Sequence, residues 1–351
     1  MSKKKRNAVG TVAAAVFAVA LCFLPDIAVE GLRNGLILCY ETVIPSLFPF
    51  MFVCDLIMSL FLYERNRKPT VLPIILFSLA GGFTMGAKAL VESVNAGAIS
   101  RERAGGLLCG CINAGPAFLI GAIGTGLLKS KPAGLILFAS LSLSSIICIL
   151  LFDTKDGGEI KAITKVKNAS VVSSMSAAVM STLILCGYVS LFSCVITLLS
   201  HLLSVISGSL GNIILYAAGT ICEVSTGCNC TRVFGPSAAV HLCAVSVSLC
   251  GASVLMQVSS ILSETGISIR KFLLSRLVHT PLTLMLIDIL TALLPQSTSE
   301  CLSQGQSAGL FSVSPLYSLA AFACAVIISV GRKTFHLFTN GENGGIIKII
   351  K

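Results

Sequence analysis

VLPIILFSLAGGFTMGAK, Val71 to Lys88, is an apolar run that stops half-way. Val71 to Ala80 supplies ten apolar-run residues, about half of the roughly 20 that cross a hydrocarbon core. The glycine-rich GGFTMGAK, Gly81 to Lys88, then closes it. A half-length apolar run closed by glycines predicts a re-entrant hairpin, with its return arm from Ala87 to Ile99. Such backbone is tolerated at membrane depth only where protein or a watery cavity surrounds it. A second half-length run, Ile213 to Val224, ends in EVSTGCN, Glu223 to Asn229. Two hairpins of this kind predict an all-α polytopic membrane protein.

The flanking segments supply the spans. Lys3, Lys4, Lys5 and Arg6 precede an apolar run from Asn7 to Leu24, read as an uncleaved first helix although Ala18-Val19-Ala20 has the small residues of a cleavage site. Pro25 to Asn34 then begins outside. Gly35 to Tyr63 is too long for one straight span, and Pro45 and Pro49 interrupt it. Ala104 to Leu128 crosses with a break at Asn113-Ala114-Gly115-Pro116, and Ala133 to Phe152 returns. Beyond the polar loop Asp153 to Ser170 come an overlong span Val171 to Ile206, the second hairpin, a span Ser237 to Leu262 interrupted at Gly251, and Arg270 to Leu294 with Pro281 inside. An outside loop, Pro295 to Val313, and a last helix, Ser314 to Val330, complete about eight transmembrane helices.

Charge fixes the orientation. The 351 residues are 55% hydrophobic and 11% charged, against about 25% charged in a soluble domain. Of the 25 lysines and arginines, 21 fall in the segments assigned to the inside and only Arg33, Lys129, Lys131 and Arg232 outside. That asymmetry follows the positive-inside rule and places both termini on the cytoplasmic side of the membrane. It also argues against nucleic acid as the partner of a chain with formal charge +10, because no basic helix or aromatic-interleaved patch tracks a phosphate backbone. The partner implied throughout is the lipid bilayer.

Residues 35–152 and 171–294 each read long span, half-span, broken span, span, and they begin on opposite faces. This order is that of an inverted-topology repeat. Residues 1–34 form an N-terminal anchor, 153–170 a cytoplasmic linker, and 295–351 the external loop, last helix and tail. In transporters such repeats place the solute near the midplane, where discontinuous helices expose N–H and C=O groups.

The candidate site follows from the breaks. The first hairpin offers Gly82, Thr84, Gly86 and Lys88, and the first broken span Asn113 and Gly115. The second hairpin offers Glu223, Ser225, Thr226 and Gly227, and the second broken span Ser253 and Gln257. A charged residue at a helix centre costs about 2.5–3.5 kcal/mol on insertion scales, so Glu41, Asp55, Glu223 and Asp288 require partners or water. Glu223 reads as a solute or coupling-ion contact, H+ or Na+, or as a cap for the opposing arm's N–H groups. Asp288 pairs with Arg276 or His279, or serves the site. Glu41 and Asp55 sit nearer the ends of their span, where interfacial water solvates them. Lys88 either faces an anionic ligand or snorkels to the interface; His201 and His336 carry no signal.

Other chemistries lack their residues. Most of the 15 cysteines lie in apolar runs, where cysteine is a small hydrophobe. Cys109-x-Cys111 and Cys228-x-Cys230 lack a histidine in register, so no metal is expected. No HExxH, Walker A, dinucleotide GxGxxG or Gly-x-Ser-x-Gly occurs, and neither an enzyme nor a cofactor is expected.

IPSLFPF (Ile44 to Phe50), GGFTMGAK, NAGPAFLIGAIG (Asn113 to Gly124), EVSTG, GASVLMQ (Gly251 to Gln257) and ISIRKFLLSR (Ile267 to Arg276) together resemble the sporulation integral membrane proteins of endospore-forming bacteria, which carry nucleoside-recognition (Gate) domains. The likeness covers roughly residues 30 to 295 in the family's order, with Thr84 where the family pattern has a proline. The resemblance implies a fold related in plan to concentrative nucleoside transporters. It also implies movement of dipicolinic acid from the mother cell across the outer forespore membrane. A non-transporting scaffold for spore-envelope assembly is the alternative from another class, and a nucleoside or ion carrier shares the fold. A small anionic solute suits two hairpin tips with Lys88 or Arg276 nearby, and a homo-oligomer is compatible with the sequence.

Overall fold

The computed structural model describes residues 3–62, 71–153, 170–203, 208–263 and 265–293. Along the chain run α1 (Lys3–Phe23), α2 (Pro25–Leu38), a π-helical turn (Cys39–Val43), α3 (Ile44–Leu62), α4 (Val71–Gly81), α5 (Phe83–Asn95), α6 (Arg101–Cys111) and a π-helical segment (Ala117–Leu127). They are followed by α7 (Lys131–Phe152), α8 (Val171–Leu203), α9 (Ser209–Cys222), α10 (Val224–Asn229), a 3₁₀ turn (Cys230–Val233), α11 (Pro236–Leu249), α12 (Gly251–Leu262) and α13 (Arg270–Leu293). No strand occurs among the described residues.

The protein is an all-α, multi-pass membrane protein. Among the described residues, four stretches are long and apolar enough to cross a bilayer: Lys131–Phe152, Val171–Leu203, Pro236–Leu262 and Arg270–Leu293. A fifth arises if Ala14–Phe23 and Pro25–Glu41, bent by 108° at Leu24, count as one span. Of the other expected spans, Gly35 to Tyr63 contains the shorter apolar helix Leu47–Ile57 and Ala104 to Leu128 contains Ala117–Leu127, while the two half-length runs appear as Val71–Gly81 and Ser209–Cys222. The residues from Pro25 to Asn34, expected as an outside connection, instead form the first turns of α2. The expected outside loop from Pro295 and the last helix, Ser314 to Val330, lie outside the described residues, as do most of the linker and the loop around Glu64.

The outer surface is that of a protein in lipid. On α8 the large side chains of Val172, Met175, Val179 and Leu183 are exposed at helical spacing, while Ser174, Ala178 and Thr182 on the other face are buried. Small and weakly polar residues thus face protein and bulky apolar ones face outward, as packing between helices in lipid favours. One contact of this type is α2 on α8. A Cβ at Gly31 would stand 2.7 Å from Cys194 Cα, and one at Gly35 2.5 Å from Ser190 Cα, so two glycines four residues apart let the backbones meet. The core proper lies elsewhere, around Leu90, Leu107, Leu108, Leu119, Leu137, Leu141 and Phe272 of α5, α6, the π-helical segment, α7 and α13.

The two stretches 25–152 and 171–293 repeat one order of elements: a long or bent helix, a helix–break–helix pair, a broken helix, a span. Corresponding elements pack on one another, α2 and α3 on α8 and α7 on α13.

Candidate functional site

Four breaks lie at places the sequence pointed to, whereas Pro45 and Pro49, read as interruptions, lie inside the continuous α3. The first pair, α4 and α5, packs side by side and turns at Gly82 alone, whose φ of 85° is a backbone state that a residue with a side chain rarely adopts. The second, α9 and α10, turns at Glu223. The first broken helix opens between α6 and the π-helical segment, over Ile112 to Gly115. The second opens at Cys250 and Gly251, with φ of 70° and 53°.

Each turn sits against the break of its own half. A Cβ at Gly115 would stand 2.8 Å from Ala80 O and 3.2 Å from Gly82 N. One at Gly251 would stand 3.2 Å from Thr220 O and 3.3 Å from Glu223 N. Helix α12, which leaves the second break, packs against both α5 and α10, so it joins the two halves of the arrangement.

The breaks present groups able to donate. Helix α5, α12 and the π-helical segment all begin at breaks, and none has a side-chain cap on its first N–H groups. Such ends carry partial positive charge and free donors. Beside them, buried polar atoms lack partners: Thr84 Oγ1, Asn113 Nδ2, Ser253 Oγ and Gln257 Nε2, in residues no more than 7% exposed. A buried polar group left unpaired costs about 1–3 kcal/mol. Asn113 Oδ1 is engaged, accepting from Ala114 N at 3.0 Å.

Helix α10 alone is capped at its break. Glu223, 2% exposed, accepts through Oε2 from Thr226 N at 2.7 Å and from Thr226 Oγ1 at 3.1 Å. Of the two roles read from sequence, this contact is the cap. Gly227 lies against Thr220 of α9, closing the second hairpin, and Ser225 is half-buried beside it. Gly86 is buried against the Cys111 carbonyl.

The cations take other places. Lys88 Nζ lies 3.0 Å from Ser181 Oγ and 3.9 Å from Asp55 Oδ1, so it neither snorkels nor points alone at a ligand, and Asp55 has a protein partner. Arg276, 4% exposed, donates to the carbonyls of Cys109 and Ser248 and lies over the Phe272 ring. Those carbonyls belong to the last turns of α6 and α11, the helices that end at the two breaks, so one guanidinium meets the negative ends of both. Asp288 pairs with His241 at 2.9 Å rather than with Arg276 or His279. His279 is fully buried, with Nε2 2.9 Å from Ser144 Oγ and 3.1 Å from Ser145 Oγ. Glu41 is exposed, and no group of three metal-ligating side chains occurs among the described residues.

Sequence reasoning missed the Arg276 bridge and the Gly31–Gly35 contact. The second has the spacing small-x-x-x-small, legible in advance. The first joins residues 167 positions apart, and no local spacing announces it. No family model, no curated protein and no solved structure matches the chain.

Proposed function

We propose that this chain transports a small anionic solute across the membrane, through a site at the four helix breaks. The observation that carries the reading is the set of groups able to donate at the breaks: uncapped starts of α5, α12 and the π-helical segment, with the unpartnered Thr84, Asn113, Ser253 and Gln257. A carboxylate offers only acceptors and complements such a set. Glu223 Oε2 is already engaged by Thr226 N and Oγ1 as the cap of α10.

In this reading the chain has about eight spans and two re-entrant hairpins in an inverted-topology repeat, with termini in the cytoplasm. The repeated order of elements and the packing of α7 on α13 support it. The resemblance drawn from GGFTMGAK, NAGPAFLIGAIG and EVSTG names the solute, dipicolinate, and the place, the outer forespore membrane. A heteroaromatic dicarboxylate matches donors presented from two halves.

The test is uptake of pyridine-2,6-dicarboxylate by proteoliposomes, scored per molecule of protein, in wild type, Thr84→Val and Ser253→Ala. Each substitution removes an unpartnered polar atom while roughly keeping shape, which for the fold alone is close to neutral or stabilising. Uptake should fall tenfold or more with abundance unchanged. Equal uptake in the variants would remove these residues from the site, and a wild type that takes up nothing would return the scaffold reading.

A further inference from the structure

The ion pair between α11 and α13 has a hydrogen-bond pattern that fixes a proton count. His241 Nδ1 lies 2.9 Å from the Ser237 carbonyl oxygen, and Nε2 lies 2.9 Å from Asp288 Oδ1. A carbonyl oxygen only accepts, so Nδ1 carries its hydrogen. Nε2 then faces a carboxyl oxygen across a hydrogen-bond distance, and one proton must lie between them. It sits on nitrogen, giving imidazolium and carboxylate, or on oxygen, giving imidazole and carboxylic acid. Both forms are neutral overall. Removing that proton would set a nitrogen lone pair against a carboxylate and leave a net negative charge within the apolar layer, where charge is expensive.

The surroundings suit a proton that comes and goes. The two side chains are 17% and 16% exposed, enough to exchange with water. Asp288 Oδ2 is buried without a protein partner, a second acceptor for the same proton. Pro236, Ala239 and Val240, which flank His241 on α11, line a cavity of about 340 Å³ together with Lys129 and Arg232. Tyr216 on α9 donates to the Leu242 carbonyl, and Cys243, two residues on from His241, meets Thr231. Further along α13, Arg276 and His279 are held by Cys109, Ser248, Ser144 and Ser145. On the exposed rim Lys129, Lys131 and Arg232 are cations, and α7, α9, α10 and α11 carry no acid. Glu102 of α6 is paired with Lys271.

We propose that His241 and Asp288 form the proton-binding site that couples proton movement to solute passage, one proton bound on loading and the same proton released on unloading. This rests on the transport reading above. Because α11 and α13 meet through the pair, loss of the proton sets its facing lone pairs against each other and loosens that contact. Proton binding is thereby linked to the packing of a broken helix against a span.

Two measurements test it on the whole reconstituted protein. The first needs no solute: infrared titration of purified protein in nanodiscs across about pH 5 to 8. A single proton shared by imidazole and carboxyl should be lost in one step, and that step should vanish in both His241→Gln and Asp288→Asn. Independent titration, with Asp288 ionised and His241 neutral throughout, would overturn the proposal. The second uses vesicles containing a pH-sensitive dye and pyridine-2,6-dicarboxylate as probe. Wild-type uptake should carry protons inward and rise several-fold with an inward proton gradient. His241→Gln and Asp288→Asn should lose that response, and the exchanged pair His241→Asp with Asp288→His should recover part of it. Uptake without proton movement would overturn the coupling. No uptake alongside a shared proton would sink the transport reading and, with it, the coupling, and leave a structural pair.

Discussion

Glu223 accepts the Thr226 backbone N–H at 2.7 Å and the Thr226 hydroxyl at 3.1 Å, closing the turn between α9 and α10 from inside the protein. The cap needs an acceptor oxygen more than it needs a charge. Glu223→Gln should therefore keep the turn, while Glu223→Ala removes the acceptor and costs about 0.5–2 kcal/mol. Thermal unfolding in detergent should place the alanine variant well below the glutamine variant, with membrane abundance following the same order. Flux per molecule should be close to wild type in Glu223→Gln. A tenfold loss there at normal abundance would put the carboxylate charge into the solute or ion site instead.

The contact of α2 with α8 makes a second prediction. Gly35 has room for hydrogen only, whereas Gly187 on α8 has nothing within 4 Å of where a Cβ would stand. Gly35→Ala must push the helices apart, and overpacking of this kind costs roughly 1–3 kcal/mol. Gly187→Ala should be neutral or slightly stabilising, since alanine is the better helix former by about 1 kcal/mol. Comparing the two melting temperatures checks the packing directly. Equal values would mean the α2–α8 contact is looser than described.

Orientation can be read from fusions. The positive-inside rule assigns few basic residues to the outside, and one of them, Lys129, stands between the π-helical segment and α7 with φ of 55°. Alkaline phosphatase fused after Lys129 should be active, and fused after Asp153, which pairs with Arg103 at 3.2 Å, it should be inactive. The opposite pattern would invert the topology and exchange the two faces of the site.

The breaks were legible because they are punctuated by residue types with local conformational meaning: Gly82 and Gly251 by positive φ, and Pro116 at the start of the π-helical segment. The apolar runs around them were legible as membrane helices for the same reason, since hydropathy is a local property. The partners of the buried charges were not. Asp288 had two basic residues on its own helix, Arg276 and His279, and sequence proximity favoured them. In a helix bundle the partner is set by which helices pack, so Asp288 found His241 on α11 while Arg276 turned to two helix ends. The bend at Leu24 was also hidden, because the apolar run into Leu24 and the Pro25 that follows read as the end of a span rather than as a corner between two helices.

Arg276 gives the last prediction, because it separates a structural cation from a solute-binding one. Its guanidinium reaches the Cys109 carbonyl near the end of α6 and lies 3.3 Å from the Ser248 carbonyl near the end of α11. Hydrogen bonds to a charged donor contribute about 1.5–3 kcal/mol each, and the two carbonyl ends carry the negative pole of their helices. Arg276→Met would keep much of the side chain's volume over Phe272 but leave both ends unpaired. It should lower the melting temperature and the abundance more than any single substitution discussed above. Arg276→Lys keeps the charge, yet lacks the planar fork that serves two acceptors at once. It should recover part of the stability and none of the double engagement. If Arg276 only braces the breaks, the protein that survives in Arg276→Lys should transport at a normal rate per molecule and with an unchanged solute affinity. A large rise in the half-saturating solute concentration, at wild-type stability, would instead place the guanidinium in contact with the anion and make the braced geometry one of two states.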